Sequence, residues 1–256
     1  MVTVLCNGQR FLNIEAIFLD KDGTLADVAA YLSRWGHRQA QLMQARLPGT
    51  QEPVLRTLGF TAEGLTASGL LAVGNRQETI MGIAAAAAMV GCPWMQAVDL
   101  ARATTRIADR QCSPKATYTP LLPGVLDFLV RLRQANLKII MVSADAQGNL
   151  DEFVQNYQLH PYFDRIQGVS EHHPAKTDPS FLSMACDAIG VSPRQGLVIG
   201  DAVTDLRMAH IARGFIGFLG GWRPMLLETD ILSGDSPTQD LITCGYATDF
   251  SQIAIA

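Results

Sequence analysis

The chain has 256 residues, 48% of them hydrophobic and 17% charged, with a formal net charge of −4. That length and balance suit a folded protein with a sizeable core, either one large domain or a core plus a smaller module. They argue against nucleic acid as the main partner, since no basic stripe supplies phosphate-neutralising charge. They also argue against a membrane span, since the most apolar stretch, 80–92, is shorter than the ~20 residues needed to cross a bilayer.

Met1 to Arg10 has neither a basic start nor a long apolar core, so no secretory leader is expected. The five cysteines are scattered and never spaced as C-x-x-C, which reads as reduced thiols in a cytoplasm. Asn7-Gly8 favours a type I′ turn, so Met1 to Phe11 is expected to form a small hairpin. Ala16 to Leu19 is a short apolar run that suits a strand buried on both faces. It stops abruptly at Asp20-Lys21-Asp22-Gly23-Thr24, where Asp22-Gly23 reads as the turn. Open α/β sheets bind ligands at such carboxyl ends. Two crowded carboxylates repel each other unless a proton or cation offsets them, and a hard dication with oxygen ligands would do so.

From about Asp27 to Thr117 the texture changes to Ala, Gln, Leu, Met and Arg, with few strand-like runs. Helices are expected over Ala26–Arg46, Arg76–Val90 and Pro93–Gln111. Asn75 with Glu78 resembles an N-cap with a reciprocal acidic partner, and Pro93 fits a first turn. Met81, Met89 and Met95 read as helix packing, and Arg76 as a charge at a helix start. The expected organisation is an α/β core from 1–26 and 118–256, interrupted by a helical insertion over 27–117.

Pro114, Pro120 and Pro123 mark the return to an alternating α/β rhythm. Val125, Phe128, Leu129 and Leu132 share one helical face. Leu137–Val142 reads as a strand ending at Ser143, Leu150–Tyr157 as a helix, Arg165–Val169 as a short strand and Pro179–Ile189 as a helix. Gly196–Ile199 reads as a strand ending at Gly200-Asp201. Leu206–Ala212 reads as a helix closed by a left-handed Gly214, and Phe215–Leu219 as a strand. Thr243–Ala256 is expected to add a strand and a helical turn.

Three apolar strands thus end in Asp20 and Asp22, in Ser143 and in Asp201, and a loop before the third carries Lys176. If the strands are parallel neighbours, carboxylates, a hydroxyl and an ammonium converge at one sheet edge. That set suits phosphoryl transfer: carboxylates hold a divalent metal, hydroxyl and ammonium steady the phosphoryl oxygens, and one carboxylate attacks. A calcium loop of the D-x-D-x-D-G type fails, because positions 24 and 25 are Thr and Leu. His172-His173 reads as a solvated loop pair.

The chain here resembles the haloacid dehalogenase superfamily, on the side of its magnesium-dependent phosphatases. Asp20-Lys21-Asp22-Gly23-Thr24 matches its first motif, Ser143 after Ile139 to Val142 its second, Lys176 its third, and Gly200-Asp201-Ala202-Val203-Thr204-Asp205 its fourth. Leu122-Pro123-Gly124-Val125 and Tyr162-Phe163-Asp164 look closest to the phosphoglycolate phosphatase and β-phosphoglucomutase branch. That branch implies a Rossmann-like parallel sheet with a helical cap inserted after the first motif. The resemblance implies Asp20 as nucleophile, forming an aspartyl-phosphate, and Asp22 as acid and then base. It implies Mg²⁺ held by Asp20, the backbone carbonyl of Asp22, and Asp201. Ser143, Lys176 and Thr24 would bind the substrate's phosphate, with Asp205, Ala144 and Gly23 in support. Lys21 stands where many relatives carry an apolar residue and is expected to point away from Asp20. Thr177 replaces a frequent proline, and Ala202 a frequent serine or threonine.

The reaction expected is hydrolysis of a small phosphorylated metabolite, phosphoglycolate-like or a sugar phosphate. A phosphomutase shares every core motif, and a catalytically idle binding module could keep the same fold. A dehalogenase needs no metal and would leave Asp22 and Asp201 without purpose. Neither the substrate nor the oligomeric state is legible in the sequence.

Overall fold

The structure, a computed structural model, describes residues 1–169, 174, 176, 178–221 and 243–256. The chain divides into two compact units, residues 1–27 with 120–256, and residues 28–119.

In the first unit the apolar runs become a parallel sheet. Strand β3 (Ala16–Leu19) is wholly buried, as a strand covered on both faces must be. Its neighbours are β6 (Lys138–Ala146) and β8 (Gly196–Gly200). Outside them lie β7 (Arg165–Val169) on one side, and β9 (Gly214–Phe218) then β10 (Thr243–Ala247) on the other. The order is β10-β9-β8-β3-β6-β7, parallel throughout. The chain leaves β3 towards β6 and β7, then returns to the other side of β3 as β8. The carboxyl end of β3 is therefore the switch point where open sheets of this kind form a crevice.

Helices α6 (Val125–Gln134), α7 (Gln147–Asn156), α8 (Pro179–Asp187) and α9 (Val203–Met208) join these strands. Helix α6 buries Val125, Phe128, Leu129 and Leu132, the face its spacing predicts. Phe18, Ile140, Val142 and Val198 pack with Phe181, Leu182 and Leu206. Burying each such large side chain is worth about 1.5–3 kcal/mol relative to exposure.

The expected hairpin is present as β1 (Val2–Cys6) and β2 (Gln9–Ile14), with Asn7 at φ 46° in its turn. The chain end adds β11 (Ile253–Ile255) antiparallel to β1, making a three-stranded sheet the sequence reading lacked. Strand β6 also runs past its expected end, because Ala146 pairs with Val169 after a register shift beyond Val142. Gly214 is not a left-handed cap: it opens β9, where a Cβ would meet Phe11 Cδ1 and the Thr243 carbonyl, both at 2.7 Å. Close packing rather than backbone conformation calls for glycine there.

The second unit holds α1 (Ala29–Arg46), α2 (Gln51–Leu58), α3 (Leu70–Val73), α4 (Arg76–Met89) and α5 (Trp94–Gln111). A two-stranded hairpin, β4 (Phe60–Thr61) and β5 (Gly64–Leu65), sits among them. Asn75 and Glu78 form the reciprocal cap of α4, each side chain accepting from the other's backbone N–H, at 2.9 and 2.8 Å. Trp35 donates to Asp109 at 2.8 Å, and Arg76 pairs with the same carboxylate at 3.1 Å. Arg76 is thus engaged in an ion pair. Met89 and Met95 are exposed and do not serve as packing. Among the described residues no helix is long and apolar enough to cross a membrane.

Candidate active site

The site grows from strand register. Leu19 pairs with Met141 on one side and Ile199 on the other. Continuing that register, Ser143, in β6, and Asp201, just past the end of β8, flank the residue after Asp20. The backbone N–H of Asp20 still donates to Ile199, at 3.0 Å. The chain then turns tightly: the Lys21 carbonyl accepts from Thr24, Leu25 and Ala26. Gly23 makes this possible. Its φ is +89°, and a Cβ would lie 2.0 Å from Asp201 Oδ2. The first and fourth motifs are in contact here, and a side chain would part them.

Asp20, Asp201 and Asp205 bring carboxylate oxygens within 4.8 Å of one another. Lys176, also buried, pairs with Asp20 and lies 2.6 Å from Asp205 Oδ1. The other Asp205 oxygen accepts from the Ala202 N–H at 3.0 Å, at the start of α9. Ala202 has no side-chain acceptor of its own, so Asp205 supplies the cap that orders this turn. Burial pushes the Asp20 carboxyl up to about 7 despite the Lys176 ammonium, and the Asp205 charge adds to the rise. Burial and the charges of Asp20 and Asp205 likewise hold Asp201 well above the usual carboxylate range. The Lys176 ammonium is held above its ordinary range by the two carboxylates, which outweigh its own burial.

Three acids, Asp20 and Asp205 buried and Asp201 half-buried, against one ammonium form a donor set short of positive charge. Such a set fits a hard divalent cation with oxygen ligands. Thr24 Oγ1 is buried without a hydrogen-bond partner among the described residues, a polar atom that a bound group could satisfy.

The remaining expected residues fall around this centre. Ser143 is buried, and its Oγ accepts from the Asp145 N–H at 3.1 Å. Ala144 is exposed beside it. The Asp22 side chain is about one quarter exposed and pairs with Lys21. Lys21 was expected only to point away from Asp20; it is buried, with Asp145 as a second partner. No signal local to the turn marks this, because the groups that enclose Lys21, Asp145 and Phe153, come from β6 and α7. His172 and His173 lie outside the described residues.

Residues 14–213 match the haloacid dehalogenase-like hydrolase family. A phosphoglycolate phosphatase of Nitrosospira multiformis is 25% identical over 203 residues, spanning 78% of this chain and 81% of that protein. One from Shigella boydii is 26% identical over 208 residues, spanning 79% and 80%. In fold, the chain is similar to the solved structure of a haloacid dehalogenase-like family hydrolase from Streptococcus pneumoniae. That likeness has a TM-score of 0.59 and 17% identity, and it covers 94% of this chain and 96% of that one.

Proposed function

The chain belongs to the haloacid dehalogenase-like hydrolase family and is a phosphoric monoester hydrolase, and we propose that it cleaves small phosphorylated metabolites through an aspartyl-phosphate on Asp20. The observation that carries this reading is the buried cluster in which Lys176 pairs with Asp20 and Asp205 while Asp201 stands within 4.8 Å. A phosphate-ester class fits the curated relatives' names, and 2-phosphoglycolate is the first substrate to test.

In this mechanism a carboxylate oxygen of Asp20 attacks phosphorus as the ester P–O bond breaks. The bonding electron pair stays on the leaving oxygen, which takes a proton from the Asp22 carboxyl. Asp22, now ionised, takes a proton from water. The water oxygen bonds to phosphorus, and the Asp20 oxygen is released as carboxylate. Lys176 and Ser143 hold the phosphoryl oxygens, with Thr24 Oγ1 available as a further donor. Asp205 keeps Lys176 in place. Asp20, Asp201 and the Asp22 backbone carbonyl would hold a divalent cation, magnesium in this proposal. Bound there, it supplies positive charge against the ionised Asp20 and the phosphoryl oxygens. We assign substrate choice to the helical unit, and five cysteines held in no disulfide suit a reducing compartment such as the cytoplasm.

The test is a screen of 2-phosphoglycolate, sugar phosphates and 4-nitrophenyl phosphate with Mg²⁺, following free phosphate and sugar-phosphate isomers together. Phosphate release that disappears in Asp20→Asn supports the proposal. Isomer without phosphate would identify a mutase, and no turnover of any ester would leave a binding module.

A further inference from the structure

We infer that Lys21 is a positioning residue that holds the Asp22 carboxyl where it must give and take protons; this rests on the proposed phosphatase reading. Lys21 is 1% exposed, among the most deeply buried charges in the chain. Its ammonium pairs with Asp22 Oδ1, lies 3.3 Å from Asp145 Oδ2, and stands 5.2 Å from the centre of the Phe153 ring. Asp145 is itself fixed. Its Oδ1 accepts from the Ala146 N–H at 2.9 Å and from Asn149 Nδ2 at 2.6 Å, at the start of α7. A continuous set of contacts therefore runs from α7 through Asp145 and Lys21 to Asp22.

A buried ammonium costs free energy unless it is paired, and an apolar residue of similar size often serves stability as well. Stability alone gives little reason for lysine here. Position does. Asp22 is about one quarter exposed, and the carboxylate that moves the proton must stay within hydrogen-bond reach of the leaving oxygen. A misplacement of about 1 Å can cost a hundredfold in rate. The ion pair restricts Asp22 to one direction and ties it to the end of β6, the strand that carries Ser143.

A positioning role through Asp22 depends on the leaving group, which a merely structural role does not. The alkoxides of 2-phosphoglycolate and glucose 6-phosphate must be protonated as they leave, whereas the phenolate of 4-nitrophenyl phosphate leaves without a proton. The parent, Lys21→Met and Asp145→Asn are compared on all three esters with Mg²⁺. Because kcat/KM ends at departure of the leaving group, it isolates the acid step. Lys21→Met should lose about a hundredfold in kcat/KM on the alkyl esters and less than about fivefold on the aryl ester. A burst of nitrophenol should precede a slower steady state, since Asp22 then also fails as base. Asp145→Asn should shift the alkyl-to-aryl ratio the same way by about tenfold, and it decides the matter if Lys21→Met does not fold. An equal loss on all three esters, or none, overturns the role of Lys21 while leaving the phosphatase reading intact. A parent inactive on all three overturns that reading and this inference with it.

Discussion

Gly23→Ala tests the contact between the first and fourth motifs most directly. Two separate penalties follow from the structure. The first is backbone: at φ +89° an L-residue costs about 1–2 kcal/mol. The second is the clash of the new Cβ, 2.0 Å from Asp201 Oδ2 and 2.5 Å from its Cγ. Reaching ordinary van der Waals contact would require a shift of roughly 1.4 Å, most of which must fall on Asp201. A displacement of that size at a reacting centre is worth about a hundredfold in rate. Gly190→Ala separates the two effects, because Gly190 has φ +70° and open space where a Cβ would stand. Gly190→Ala should lose about 1–2 kcal/mol in urea unfolding, and Gly23→Ala at least as much, since it carries the clash as well. Only Gly23→Ala should lose about a hundredfold in kcat/KM on 4-nitrophenyl phosphate, with a weaker apparent affinity for Mg²⁺. If Gly23→Ala stays within about twofold of Gly190→Ala in activity, Asp201 is not held where the reaction needs it, and the reasoning fails.

Asp20→Asn should reduce turnover by a thousandfold or more, since an amide is no nucleophile; mass spectrometry after an acid quench should find phosphate on Asp20 in the parent and none in the variant. Chelation should abolish phosphate release, Mg²⁺ should restore it, and Ca²⁺ should inhibit because its larger, looser shell disfavours in-line attack; full turnover in excess chelator excludes the proposed cation site. Asp164 accepts from the Ile139 N–H and pairs with Arg133 and Lys138. Partial burial opposes its ionised form, but these contacts prevail and hold the carboxyl below its ordinary value. Asp164→Asn should therefore cost about 1–2 kcal/mol at neutral pH in chemical denaturation. That contribution is present above the unfolded pKa and lost as pH falls through the lower folded one, so parent and variant should converge below about pH 4; a gap that persists in acid refutes the assignment.

The parts of this fold that could be read from sequence are those where local chemistry decides. Ala16–Leu19 and Gly196–Gly200 are apolar runs ended by Asp and Gly, and a strand buried on both faces has little alternative to that pattern. The Asn75 and Glu78 pair specifies its own geometry within one turn. What escaped was either short or non-local. Helix α2 has eight residues and buries only Val54 and Leu58, too few for a periodic signal. Strand β11 has three residues, and its partner β1 lies at the opposite end of the chain. The site divides along the same line. Asp20 and Asp201 are announced by the strands they end, Lys176 by its place in the loop before the second of those strands, and Asp205 by following Asp201 closely. Lys21 instead takes its meaning from Asp145 and Phe153, which reach it only once β6 and α7 are packed. Periodicity assigns a side chain to a face of its own element; it carries nothing about which charge waits across the crevice. From sequence, alternation therefore assigns Lys21 only a direction away from Asp20, not a partner. In the folded chain it is the cation that joins the turn of Asp22 to the end of β6 beyond Ser143, which gives the tight turn at Gly23 a second anchor besides Asp201.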